Sequence, residues 1–318
     1  MGRAVLFDKI DFLKKAYAPE KFPKDVLNFT MLECGFISEV TIDENTLDLR
    51  CIGNIDGFGI IELFSHAIHV LDKNGAMNLI NSSSNVDKAL FEAGFFTELV
   101  RKYPGKVFFT QNVTGSGGEV EALIPITYVG YKGAERIALE NAIGRMRDFS
   151  YHEDLLGAFS WMIGELADNA HTHSKGPCHI LVTSERDEFQ RRVLKICVTD
   201  KGAGIPFTLK KNPRFAKLSD EKALVTAFRP HVSGWAEKYR RGKGLSDVAA
   251  LTAGSRSLLR VESAELGLFM NFSNLGNIER YPPSTRVPGT RFCIQLSDGP
   301  VERVSREEID RLVEETVD

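Results

Sequence analysis

Two side chains four residues apart, Glu165 and Asn169, carry the first chemical signal of this chain, in the run Glu165-Leu-Ala-Asp-Asn169-Ala-His-Thr-His173. On a helix they project from one face, about 40° apart at 3.6 residues per turn. A carboxylate so placed can accept a proton, and an amide oxygen is a hard metal ligand. Downstream follow Asp200-Lys-Gly202-Ala-Gly204-Ile and then Gly242-Lys243-Gly244-Leu245. Glycines let backbone approach a ligand closely. Asp200, at the head of the first cluster, offers an acceptor that phosphate would repel and a base amine would welcome. Each feature alone has a plainer reading, Glu165 as a solvated helix acid and the Asp200 cluster as a surface turn. Together they describe a nucleotide pocket.

The elements that must position these residues follow from periodicity. Leu155, Leu156, Phe159, Ile163, Leu166 and Ala170 recur at helical spacing until Ser174-Lys-Gly-Pro177 ends the helix. A hairpin over 179–184 and 193–199 delivers Asp200 at a strand end. An irregular segment, 208–241, is rich in Lys and Arg and leads to a helix over 245–253. Gly242 and Gly244 open that helix and would turn backbone N–H groups and the helix dipole toward a phosphate, with Lys243 as a point charge between them. Strands over 257–263, 268–272 and 291–296 complete a sheet, and a helix over 134–146 precedes the Glu165 helix. Upstream, a strand at 47–52, a helix at 58–71, a strand at 76–80 and a helix at 85–99 make a βαβα run. Strands at 106–111 and 120–128 follow as a hairpin around Thr114-Gly-Ser-Gly-Gly118, which lacks the Gly-Lys-Ser/Thr ending of a P-loop.

Composition narrows the classes. The chain has 318 residues, 43% of them hydrophobic, enough for two domains of ordinary size. A net charge of -3 gives no global attraction to nucleic acid or anionic membrane. The basic segment has no interleaved aromatic platform, which argues against a nucleic-acid surface. Five widely spaced cysteines without a CxxC pair argue against a disulfide framework or zinc cluster and for reducing cytosol. No window of about 18 uncharged apolar residues exists, so a soluble, untargeted protein without membrane contact is expected.

The succession E-x-x-x-N-A-x-x-H on a helix, D-x-G-x-G-I at a strand end, G-x-G-L, and Gly289-Thr290 before the last strand resembles the GHKL ATPase superfamily. That superfamily includes gyrase, histidine kinases, mismatch-repair ATPases and anti-sigma kinases. The resemblance covers about residues 135–297 and implies ATP and Mg²⁺ as ligands. By it, Asn169 would coordinate Mg²⁺, Glu165 would activate the attacking water or hydroxyl, and His173 would lie near the phosphates. Asp200 would accept from the adenine amino group, with Gly202 and Gly204 under the base and Thr290 lining its pocket. Gly242, Lys243, Gly244 and Leu245 would form the phosphate-side box. The segment 208–241 would be the mobile ATP lid, with Lys210, Arg240 and Arg241 closing on phosphate. His152 lies too near Glu165 to match the phosphoacceptor of a sensor kinase, and the chain looks most like the anti-sigma kinase branch.

Residues 47–99 resemble a STAS domain, whose D-S-x-G turn carries a phosphorylated serine. Here the turn is Asp56-Gly57-Phe58-Gly59, with glycine at the acceptor position. Ser82, Ser83 and Ser84 are read as an N-cap cluster. The expectation is therefore an α/β protein in three parts. Residues 1–130 would be a smaller STAS-like regulatory or partner-binding domain. Residues 131–300 would form a two-layer α/β sandwich with a mixed sheet, the Bergerat-type ATP fold. Residues 301–318 would be a helical tail. The expected activity is Mg-dependent ATP hydrolysis or phosphoryl transfer to a regulatory partner protein, and the alternative is a nucleotide-gated interaction switch with negligible turnover. The sequence leaves the oligomeric state open, a homodimer included.

Overall fold

A computed structural model of the chain describes residues 26–27, 41–50, 52–81, 84–110, 120–187, 189–234, 244–273, 277–281 and 288–317. The N-terminal unit begins with short strands β1 (Val26–Leu27), β2 (Thr41–Asp43), β3 (Thr46–Asp48) and β4 (Asn54–Ile55). Helix α1 (Gly57–Asn74), strand β5 (Met77–Ile80), helices α2 (Ser84–Glu92) and α3 (Phe95–Lys102) and strand β6 (Val107–Phe109) follow. Strands β2-β3-β5-β6 form one sheet, in which β3, β5 and β6 run parallel. Helix α1 starts where the Asp56 side chain accepts the Gly59 N–H at 2.8 Å, and it ends on Gly75 at φ 78°. The single helix expected over 85–99 is two. The chain breaks at Gly94, φ 72°, where an added Cβ would sit 3.2 Å from Pro125.

The larger unit comprises β7 (Glu121–Val129), α4 (Arg136–Asp148), α5 (Glu153–Asn169), β8 (Cys178–Arg186), β9 (Arg192–Asp200), α6 (Ile205–Lys210), α7 (Asp220–Thr226), α8 (Gly244–Gly254), β10 (Leu258–Ser263), β11 (Leu266–Asn271), β12 (Asn277–Tyr281), β13 (Thr290–Ser297) and α9 (Arg306–Val317). Its seven-stranded sheet has the order β12-β11-β10-β13-β9-β8-β7, and every pairing in it is antiparallel. The mixed pairing expected here belongs instead to the four-stranded sheet. β7 pairs with β8, and β6 with β5, so the two are not arms of one hairpin. Residues 121–129 are the edge strand of the large sheet, and the boundary read near residue 130 falls within this unit.

The front of the large sheet is covered by α4, α5 and α8 around Phe159, Met162, Ile163, Val248 and Ile294. The expected C-terminal tail is part of this layer. α9 packs on α7 and α8 through Ile309 and Val313 and is tied down by Arg306 to Asp247 and by Arg229 to Asp310. The back of the sheet is covered too, which makes the expected two-layer sandwich deeper by a layer. α1 is buried on nearly all sides from Gly57 to Leu71 and lies between β5 and strands β8 and β9. Its N-terminus presses on β8. The Gly57 N–H donates to Glu185 Oε1 at 2.7 Å, and an added Cβ at Gly57 would lie 2.3 Å from Thr183 Oγ1. The turn that resembles a phosphoacceptor loop is therefore a packing contact, and glycine is the residue that fits it.

Buried charges lie along this back face. Lys195 Nζ bonds Asp56 Oδ2 at 2.6 Å and Glu185 Oε2 at 2.7 Å. Arg260 and Arg291 both bond Glu262, and Arg291 Nε lies 2.7 Å from Glu62 Oε1 in an ion contact without hydrogen-bond alignment. Cys197 and Cys293 face each other across β9 and β13 as buried free thiols. Among the described residues no helix is long and apolar enough to cross a membrane.

Candidate functional site

A cavity of about 380 Å³ opens on the front of the sheet between α5, the ends of β9 and β13, α6 and the first turn of α8. Its floor is apolar where strand alternation turns Val198 and Phe292 the same way as Asp200 and Thr290. Glu165, Asn169, His173, Asp200, Gly204, Gly244, Leu245 and Thr290 all line it. Sequence positions spread over more than a hundred residues thus meet in one space. Gly202 stands just behind the wall, where an added Cβ would lie 2.2 Å from Ser174 Cβ. Arg241, Gly242 and Lys243, with Arg240, lie outside the described residues.

Glu165 and Asn169 share one face of α5, as their spacing requires. Beyond Asn169 the helix widens into a π turn over Ala170–Ser174, which swings His173 and Ser174 onto the cavity wall. An added Cβ at Gly244 would meet Glu165 Oε2 at 2.4 Å, so a side chain there would displace this carboxylate from the start of α8. Asn169 Nδ2 is buried there without a hydrogen-bond partner. The Glu165 carboxyl is held above its ordinary range by burial and by the nearby charges of Asp168 and Asp247, with Lys132 acting the other way.

Asp200 sits at the opposite end. Its Oδ1 accepts the Gly202 N–H at 2.6 Å, and burial pushes its carboxyl up to about 6 despite that N–H and the Thr290 N–H. Gly289, φ 100°, lets β13 begin against this loop, since a Cβ there would be 1.9 Å from the Asp200 carbonyl oxygen. Thr290 Oγ1 shares a 3.0 Å hydrogen bond with Ser263 Oγ, which in turn accepts the Ile205 N–H at 2.7 Å. Lys201, beside Asp200, is ion-paired to Asp72 near the end of α1.

The segment expected to be an irregular lid is largely built in. α6 and α7 pack around Leu209, Phe215, Ala223 and Ala227, and Thr208, Val232 and Ser233 join the cavity wall. Lys210, read as a phosphate-closing cation, is paired with Asp220. His152 caps α5, its Nδ1 accepting the Asp154 N–H at 3.3 Å. Sequence reasoning missed Lys132 and Asp168 as lining residues. Asp168 follows Glu165 by three and so shares its helix face, a signal that was present. Lys132 arrives from a loop before α4, and no spacing announces it.

The arrangement offers an acceptor and glycine-bared backbone at one end, and at the other a half-buried carboxylate beside an amide and a helix start. Neither protein-family models nor curated proteins give a match to this chain.

Proposed function

We propose that this cavity binds Mg-ATP and that the chain is a GHKL-type ATPase or protein kinase with a Bergerat-type ATP domain and a STAS-like N-terminal unit. The observation that carries the reading is the convergence of Glu165, Asn169, Asp200, Gly244 and Thr290 on one cavity. Asp200, when ionised, accepts the adenine amino hydrogen, while Gly202 and Gly204 keep side chains out from under the base. The first turn of α8 turns its N–H groups and dipole to the phosphates. Glu165, raised by burial, is suited to take a proton from the attacking water or from a partner's hydroxyl. The Asn169 Nδ2, buried without a hydrogen-bond partner, is a donor suited to a phosphate oxygen, and the Oδ1 of the same amide is the atom that would serve a cation. Asn169 would hold Mg²⁺ through its amide oxygen, and the ion would neutralise phosphate charge. A regulatory partner protein is the expected recipient or reader of the nucleotide state.

Thermal melting with and without Mg-ATP, followed by phosphate release on the same samples, tests this. Wild type should melt higher with Mg-ATP, and Asn169→Ala should lose the shift. Glu165→Gln should keep the shift and lose at least about a hundred-fold in phosphate release. A shift with no release by wild type favours the nucleotide-gated switch. The absence of any shift in wild type refutes nucleotide binding.

A further inference from the structure

The end of the cavity away from Asp200 carries an ion pair, Lys132 with Asp168, beside Glu165. One wall is α5 with its π turn, with Ser174 beside Gly202 at one end and Glu165 beside Gly244 at the other. Nine positions along a helix span about 13 Å at 1.5 Å per residue. That is comparable with the length of an extended nucleoside triphosphate. Asp200 and Thr290 stand at the Ser174 end, so a base held by them would send its terminal phosphate toward Glu165.

That destination is acidic, with both Glu165 and Asp168 on the wall. Among the described lining residues there is one Lys or Arg, Lys132, from the turn between β7 and α4. Its ammonium is ion-paired to Asp168 Oδ2, with the Lys132 side chain 65% exposed and that of Asp168 37%. An ion pair so exposed adds little to the fold, and an ammonium on a four-carbon stem exchanges partners readily. Lys132 also opposes the upward shift of Glu165, which places its charge within electrostatic reach of that carboxylate.

We propose that Lys132 is a terminal-phosphate ligand, held at the cavity wall by Asp168 and transferred to the phosphate when a nucleoside triphosphate enters. This rests on the ATP reading of the cavity. The ion pair is a built-in competitor: Asp168 keeps the ammonium positioned and is outbid only by a phosphate carrying more charge. Lys132 thereby selects for the triphosphate over shorter ligands that fill only the Asp200 end.

The test is equilibrium binding of Mg-ATP, Mg-ADP and adenosine to the full chain, as wild type, Lys132→Ala and Asp168→Asn. Lys132→Ala should weaken Mg-ATP by about ten-fold or more and change Mg-ADP and adenosine by less than about two-fold. Asp168→Asn, which releases the ammonium, should bind Mg-ATP as tightly as wild type or tighter. An equal loss for all three ligands in Lys132→Ala, or unchanged Mg-ATP affinity, overturns the role of Lys132 and leaves the ATP reading standing. A wild type that binds none of the three overturns both.

Discussion

On the front of the seven-stranded sheet, Glu165 and Asp200 face a cavity with no ion pair of their own among the described residues. On its back, Lys195 alone holds two carboxylates, Asp56 and Glu185, and Arg260 and Arg291 stand against Glu62 and Glu262. Both faces bury acids, and the two treat them differently. Burial raises Asp200, and only backbone N–H groups pull it back. Burial also acts on Glu262, yet the two arginines outweigh it and hold that carboxyl below its ordinary range. Burial raises Asp56 and Glu62 on the back as well, Glu62 to about 7, so the faces differ in whether cations stand against their acids and not in the direction of every shift. The cation-paired acids of the back join the N-terminal unit to the sheet, and the acids of the front face an open cavity.

The largest effect that could break this comparison is on the back. Lys195→Met leaves Asp56 and Glu185 buried side by side without their cation, and should cost about 3–5 kcal/mol in chemical denaturation. A loss below about 1 kcal/mol would mean the back-face charges are no better paired than those in front.

Asp200→Asn sharpens the comparison from the other side. With no cation to lose, the variant should melt at or above wild type near neutral pH while its Mg-ATP-dependent shift disappears. The pH dependence has a definite sign. Because the folded carboxyl is raised to about 6 from an ordinary 3.8, the folded state holds this proton more tightly than the unfolded chain. The stability Asp200 contributes is therefore fully present below the ordinary value and is lost as pH rises through about 6. Nucleotide affinity should run the opposite way, falling as pH drops below about 6, because a protonated Asp200 is a poorer acceptor. Asp200→Asn should flatten this part of the stability profile; an unchanged profile would show that Asp200 is an ordinary solvated acid.

The smallest expected effect is at the floor of the site. Thr290→Val removes the bond to Ser263 Oγ, which still accepts the Ile205 N–H, and should cost about 1 kcal/mol in the urea midpoint. A larger loss would mark the Ser263–Thr290 pair as structural support for α6.

The front of the sheet was legible in the sequence to a degree the back was not. Glu165 and Asn169 are linked by helical spacing, Asp200 by its position at a strand end, and Gly244 by a helix start, all of them local relations. The glycines were legible as a type and not as a job: Gly244 yields to Glu165, Gly202 to Ser174, and Gly289 to the Asp200 backbone. On the back, Lys195 meets Asp56 across 139 positions, and neither stands in a pattern that calls for the other. Strand β7 could be recognised as a strand by its run of Ala122, Leu123, Ile124 and Ile126, but its place at the edge of the large sheet depended on a partner, β8, whose paired residues lie 49 to 63 positions away. The break at Gly94 likewise answers to Pro125, a contact with no local trace.

The sequence by itself determined the α/β class, the helix that carries Glu165 and Asn169, the hairpin that presents Asp200, and the glycine at each close approach. Those are set by backbone preference and by periodicities of 3.6 and 2, which act over a few residues. Only the tertiary structure decided that α1 would cover the back of the sheet, that Gly57 would be a packing contact, that α9 would brace α8, and that Lys132 would stand opposite Asp168. Burial and charge pairing act between surfaces, and residues far apart in the chain become neighbours only after the elements have packed.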